Sequence, residues 1–342
     1  MDTDMEKDTE TPDLLLLPAP VAALPVPVSR MPTVPQLAVA LGGLALVFAL
    51  SYFPIQAKKE GAKAEATAPS PRADEPAAEA DAFKDIDITA RAAYVWDIKN
   101  QKALYNKNAG KQLPLASLTK LMTALIAYEH LDAEDRVAIT TEALLEEGDS
   151  MFSGGEIFTM HDLANFTLIT SSNDGAYALA AATGAALASS QNPTDAFINT
   201  MNAKAEELGL SQSYFTNPTG LDVDGTQSGS YGSARDMAFL MEYLALAHPE
   251  ILEGTKAVHS TIYSQEGAAL QAVNTNERIA DIPGLIGSKT GFTRLAGGNL
   301  VIAYDAGLNR PIVIAVLGST REGRFSDVTT LIDATSRALT NR

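Results

Sequence analysis

Proline crowds one end of this chain: 11 of its 17 prolines lie before residue 77. Proline removes a backbone donor and clashes with the preceding helical turn, so segments dense in it build neither regular helices nor sheet interiors. The folded body is therefore expected in the rest of the chain. Residues 83–342 are enough for one substantial core. Residues 1–34 are acidic at first (Asp2, Asp4, Glu6, Asp8, Glu10, Asp13), then rich in Leu and Pro. They read as a disordered tail.

Between tail and body, Met31 to Ala57 is a run of 27 residues without a charge, and Leu37–Phe53 within it is proline-free and almost wholly apolar. A bilayer-spanning helix needs about 20 apolar residues. Residues 35–57 therefore read as a single transmembrane anchor. A cleaved signal peptide is the alternative, with Ile55-Gln56-Ala57 or Ala62-Lys63-Ala64 as cleavage sites, but the preceding region is long and acidic instead of short and basic. Lys58, Lys59 and Lys63 follow the apolar run while only Arg30 closely precedes it, which taken alone would hold the body in the cytoplasm. Residues 58–82, rich in Ala, Pro, Lys and Glu, read as a flexible tether reaching about 30 Å.

The net charge of −17 opposes binding to a phosphate backbone, so no nucleic-acid partner is expected. The absence of cysteine rules out disulfides, thiolate nucleophiles and cysteine-ligated metal. His130, His161, His248 and His259 have no ligand-like spacing. Asp222-Val223-Asp224-Gly225 faintly suggests a calcium loop, but Ser233 stands where its closing glutamate belongs. No metal or cofactor is assigned.

Within 83–342, the runs Ala92–Ile98 and Ala103–Tyr105 read as a β-hairpin. Asn299–Tyr304 and Ile312–Leu317, separated by Gly307-Leu308-Asn309-Arg310, read as a second one. Between them the pattern is mostly helical: Leu118–Tyr128, Met160–Ile169, Gly175–Ala188, Thr194–Leu208 and Ser233–Leu246, with a last helix at Ser326–Leu339. Strands at both ends and helices between predict an α+β body whose sheet joins the two ends, plus a helical subdomain.

Three short motifs carry chemistry. In Ser117-Leu118-Thr119-Lys120 the serine and lysine sit one helical turn apart and can meet. A serine hydroxyl is a weak nucleophile until a base takes its proton, and lysine is that base only with a depressed pKa. Ser171-Ser172-Asn173 falls on a short break between helices, where the same residues also suit a cap. Lys289-Thr290-Gly291 precedes the second hairpin and so belongs to an edge strand, with the glycine permitting close backbone approach.

Ser-x-x-Lys, Ser-x-Asn and Lys-Thr-Gly in this order form the motif set of the penicillin-recognising serine enzymes. Around them, AAYVWDIKNQKALYNKN, LASLTKLMTALIAYE, SSNDGAYALA, FINTMNAKAEELGL, FTNPTGLD and SKTGFT resemble D-alanyl-D-alanine carboxypeptidases of the low-molecular-weight penicillin-binding protein type. The resemblance covers nearly all of 83–342. It implies the β-lactamase-like fold, an α/β sandwich of antiparallel sheet and flanking helices with an α-helical subdomain. It also implies a peptidoglycan pentapeptide as substrate and β-lactam antibiotics as inhibitors.

By the same resemblance Ser117 attacks the penultimate D-alanine carbonyl and Lys120 is its base. Ser171 relays the proton to the leaving D-alanine, and Asn173 bonds Lys120 or the substrate amide. Lys289 supplies a second cation that keeps Lys120 partly neutral and, with Thr290 and Gly291, faces the substrate. The N–H groups of Ser117 and Phe292 form the oxyanion hole. Arg324, favoured over Arg321, takes the terminal carboxylate. Ser172 replaces the usual glycine, and Val223–Ser230 lengthens a loop. The C-terminal β domain and tail of many relatives are not expected, leaving anchorage to the N-terminal helix. Endopeptidase action, a β-lactamase-like hydrolase and a non-catalytic wall-binding module are the alternatives.

Overall fold

Every residue of Ala92–Asp97 is buried, the mark of a strand covered on both faces. In the computed structural model, residues 82–148, 151–187 and 192–340 are described, all within one compact unit, Pro71–Arg342. The expected tail (1–34), membrane anchor (35–57) and nearly all of the tether (58–82) lie outside the described residues. Among the described residues no helix is long and apolar enough to cross a membrane.

Ala92–Asp97 (β1) and Lys102–Lys107 (β2) form the first hairpin. Leu113–Pro114 (β3) leads through a 3-10 turn, Ala116–Leu118, into helix Thr119–His130 (α1). Arg136–Ala138 (β4) pairs with Ile157–Thr159 (β5), and helices Met160–Thr170 (α2), Asn173–Leu187 (α3) and Pro193–Glu207 (α4) follow. Tyr214–Phe215 (β6) and Ser230–Gly232 (β7) complete a small sheet ordered β3-β7-β6 ahead of Ala234–Ala247 (α5) and Pro249–Leu252 (α6). A hairpin, His259–Tyr263 (β8) with Ala269–Val273 (β9), precedes the long strands Leu285–Thr293 (β10), Gly297–Asp305 (β11) and Pro311–Ser319 (β12). Gly323–Thr340 (α7) closes the order.

The main sheet runs β10-β11-β12-β1-β2 with every pairing antiparallel. Its period-2 alternation divides the core. Tyr94, Trp96, Val301, Ala303, Val313 and Ala315 face α1 and α5. Ala93, Val95, Leu300, Ile302, Ile314 and Val316 face Phe325, Val328, Leu331 and Ala334 of α7. A third cluster lies in the helical region, where Phe158, Leu163, Phe166 and Leu179 meet Ile262 and Leu270 of the β8–β9 hairpin. Apart from the edge strand at Lys289-Thr290-Gly291, the apolar pattern predicts mostly helices between the two long hairpins. The β4–β5 and β8–β9 pairs escape it because only one side chain is buried in each of β4, β5 and β8 and two in β9, too few to print an apolar pattern.

The expected meeting of the two ends is real: β1 pairs with β12, Ala92 opposite Leu317. Asp327 of α7 fastens that seam. Its carboxylate accepts from the N–H groups of Thr89 and Ala90, each at 2.9 Å, and from the hydroxyls of Thr89 (3.0 Å) and Ser319 (2.6 Å). β10, carrying Lys289-Thr290-Gly291, is the sheet's edge strand and borders the helical region.

Candidate active site

Ser117 sits in the 3-10 turn before α1, behind Ala116 at φ 50°. A non-glycine residue in the left-handed region costs on the order of 1–3 kcal/mol and persists only where its surroundings fix it. Here they do. Leu115 N–H donates to Ser230 O at 3.1 Å, and the Asn299 amide donates to Pro114 O and Leu115 O at 3.0 and 2.9 Å. The Thr119 hydroxyl donates to Ala116 O at 2.7 Å. Gly220, at φ 78°, packs so closely that a Cβ there would collide with Ala116 O. The turn is thus clamped between β7, β11 and the loop at 219–220.

One helical turn on, Lys120 is fully buried. Its Nζ donates to Ser117 Oγ at 2.9 Å, to Asn173 Oδ1 at 2.7 Å and to Thr219 O at 2.7 Å, which uses all three ammonium hydrogens. Burial pulls its pKa down to about 7, and the Glu146 carboxylate works against that fall. A group so poised takes a proton from a neighbouring hydroxyl near neutrality.

α2 ends where Ser171 turns left-handed, at φ 64°. Ser172 Oγ then accepts from Gly175 N–H at 3.0 Å, so the motif caps α3. Asn173 opens α3, and its Nδ2 donates to Glu147 O at 2.6 Å. Opposite, the buried Lys289 donates to Ser171 Oγ and to Thr290 O, both at 2.8 Å. Hydrogen bonds therefore join Ser117, Lys120 and Asn173 in one group and Ser171 and Lys289 in another, and the chain at 171–173 brings the two together.

Burial is the first cause of the low pKa of Lys120. Lys289 is held well below the lysine range by burial, then by Lys120, then by Arg324, and the repulsion between the two lysines is mutual. Lys120 has the Glu146 carboxylate in partial compensation, whereas Lys289 faces a second cation.

Gly291 permits a close approach, though to the chain's own backbone. A Cβ there would lie 2.9 Å from Leu115 O, 3.1 Å from Ser117 N and 3.2 Å from Leu118 N. Phe292, the next residue, is 41% exposed at the mouth of this contact. Arg324 is buried and its Nη1 donates to Gly291 O at 2.9 Å, while its Nε is buried without a partner. Arg321 instead lays its guanidinium 4.5 Å from the centroid of the Phe292 ring. The two arginines are thus distinguished: one is built into the lysine-bearing strand, and the other lies over the aromatic ring at its end.

Several contributors escape sequence reasoning. Thr219 acts through its carbonyl, which leaves no side-chain signature. Asp222 accepts from the Thr293 hydroxyl at 2.9 Å and from Leu295 N–H at 3.2 Å. It ties down the turn after Phe292, where the sequence suggests only a faint calcium loop. Thr275 lies 2.7 Å from Thr290, oxygen to oxygen. Glu146 reaches Lys120 electrostatically from before the Ser-x-Asn motif. Thr219 and Asp222 fall in the FTNPTGLD stretch that carries the resemblance, but no spacing assigns any of these residues its contact.

Known proteins share this fold. A family model described as D-alanyl-D-alanine carboxypeptidase matches residues 76–321. A D-alanyl-D-alanine carboxypeptidase of Bacillus subtilis is 33% identical over 250 residues, 71% of this chain, which spans 61% of that relative. A D-alanyl-D-alanine endopeptidase of Escherichia coli is 28% identical over 83% of each chain. Among solved structures, penicillin-binding protein D2 of Listeria monocytogenes in its ampicillin-bound form aligns with a TM-score of 0.62 at 30% identity. That alignment covers 73% of this chain and 98% of the other. A mutant of the Streptomyces K15 DD-transpeptidase aligns at 0.66 and 25% identity, with the same two coverages.

Proposed function

The chain belongs to the D-alanyl-D-alanine carboxypeptidase family, and from that premise we propose that it is a serine D,D-carboxypeptidase that removes the terminal D-alanine of peptidoglycan stem peptides. The observation that carries the reading is the 2.9 Å contact between Lys120 Nζ and Ser117 Oγ, made by a lysine whose pKa is about 7.

Neutral Lys120 takes the Ser117 proton as Oγ attacks the carbonyl carbon of the penultimate D-alanine. The developing oxyanion is met by the N–H groups of Ser117 and Phe292, a contribution typically worth about 3–4 kcal/mol per donor. Ser171, bonded to Lys289, relays the proton taken up by Lys120 to the departing amine, so that Ser171 keeps a proton and Lys120 is neutral again. Asn173 holds Lys120 in line through its Oδ1. Water then hydrolyses the acyl-enzyme and regenerates Ser117. Arg324, Lys289 and Thr290 take the terminal carboxylate, and Arg324 is favoured over Arg321 because its guanidinium is anchored on Gly291 O. A β-lactam acylates the same serine.

The body works on the outer side of the cytoplasmic membrane, anchored through residues 35–57, because its substrate lies there. Long domains can translocate despite local charge. Reporter fusions at Arg342 active only in the cytoplasm would refute that placement.

D-alanine release from a D-Ala-D-Ala peptide, measured beside penicillin turnover and cleavage of a cross-linked dimer, tests the activity. Release with slow penicillin turnover supports a carboxypeptidase. Fast penicillin turnover indicates a β-lactamase, dimer cleavage alone an endopeptidase, and none of these a binding module. Mass spectrometry should place a single penicillin adduct on the Ser117 peptide, absent in Ser117→Ala. Arg324→Ala should slow D-alanine release while sparing acylation by a thioester that lacks the terminal carboxylate.

A further inference from the structure

The turn Asn274-Thr275-Asn276 belongs to none of the three motifs, yet it is wired into two of them. Asn274 Nδ2 donates to Thr255 O and Ala257 O, both at 3.0 Å, and Asn274 Oδ1 accepts from Asn276 N–H at 2.8 Å. The buried Asn276 donates from Nδ2 to Ser288 Oγ at 3.1 Å, one residue before Lys289. The two asparagines thus fix Thr275 against β10. Thr275 N–H donates to Ile169 O at 3.1 Å, two residues before Ser171. Its hydroxyl lies 2.7 Å from the Thr290 hydroxyl and 3.4 Å from Ile169 O.

We infer that Thr275 is a specificity-determining positioning residue, which turns the Thr290 hydroxyl into a hydrogen donor toward an anionic carboxylate in the cleft. The inference rests on the proposed carboxylate site of Arg324, Lys289 and Thr290. Two hydroxyls 2.7 Å apart share one hydrogen between them, so only one donates to the other at a time. Without an anion, Thr290 donates to Thr275, and Thr275 donates onward to the more distant Ile169 O. With a carboxylate present, Thr290 turns its hydrogen to the anion, a charge-assisted bond of roughly twice the strength of a neutral one. Thr275 then swings its hydrogen from the long contact to the short one and donates to Thr290. The reversal leaves no buried hydroxyl unpaired and polarises Thr290 as a donor. A substrate without a carboxylate has nothing to drive it.

Thr275→Val removes the hydroxyl, retains the side chain's shape and leaves the backbone bond to Ile169 in place. Losing one neutral hydrogen bond of this kind corresponds to about three- to tenfold. The assay compares kcat and KM on a peptide ending in free D-Ala-D-Ala with those on a thioester of the same acyl group whose leaving group carries no carboxylate. Thr275→Val should lose about three- to tenfold in kcat/KM on the peptide, chiefly through KM, and stay near wild type on the thioester. Thr275→Ser should recover the peptide. Thr275→Ala is read in the same way should valine prevent folding, and retained thioester acylation certifies the folded site. Equal losses on both substrates, or no loss on the peptide, overturn the inference. Arg324→Ala and Thr290→Val run beside it separate the two levels. If they discriminate between the substrates and Thr275→Val does not, the relay alone fails; if none discriminates, the carboxylate site fails with it.

Discussion

Replacing Gly291 by alanine tests how the nucleophile turn and the lysine-bearing strand depend on each other. The added Cβ would stand 2.9 Å from Leu115 O, 3.1 Å from Ser117 N and 3.2 Å from Leu118 N, each inside an ordinary carbon contact. All three are backbone atoms, and the Leu115 carbonyl is held by the Asn299 amide, so none can yield as a flexible side chain would. Relief requires β10 and the Ser117 turn to part by a few tenths of an ångström. Oxyanion donors act within about 2.7–3.1 Å of the developing charge, and the loss of one costs about 10²–10³ in rate. Acylation by a fluorescent penicillin should therefore fall about 100-fold. Overpacking should cost about 1–3 kcal/mol of stability. Gly110→Ala is the control, because nothing lies within 4 Å of the Cβ it would add. Stopped-flow acylation with a melting curve separates the two effects. Gly291→Ala acylating at the wild-type rate while folded would refute the claim that Gly291 holds the oxyanion donors in register.

Lys120 must be neutral to accept the Ser117 proton, so with its pKa at about 7 acylation should rise from about one tenth of its plateau at pH 6 to about nine tenths at pH 8. Because the Glu146 carboxylate holds Lys120 up, Glu146→Gln should shift this ascending limb to lower pH. The variant should be faster than wild type at pH 6 and equal to it above pH 8; a limb that stays put or moves upward contradicts the coupling. Asp327→Ala removes the shared acceptor of four donors at the β1–β12–α7 seam and should cost about 3 kcal/mol, or roughly 10 °C in Tm. Calorimetry showing less than a third of that shift would mean the seam does not depend on Asp327.

What the sequence determined by itself is local. Ser117 and Lys120 meet because one helical turn separates them, and the apolar runs of β1, β11 and β12 are strands because both their faces are buried. Ser171 and Asn173 lie at a helix break, as their neighbourhood predicts, since serine suits the capping role that Ser172 takes there. What only tertiary structure decided is which groups are withdrawn from water and which carbonyls stand opposite them. Lys120 has a pKa of about 7 because β10, α3 and the loop at Thr219 enclose it, and no window of sequence around it encodes that enclosure. Arg324 and Arg321 are told apart only by the fold, through the hydrogen bond of Arg324 to Gly291 O. The contacts of Thr275, Asp222 and Glu146 are invisible in the sequence for the same reason as the enclosure of Lys120. Each acts on a partner far along the chain, across a contact made only when the sheet edge closes on the helical region.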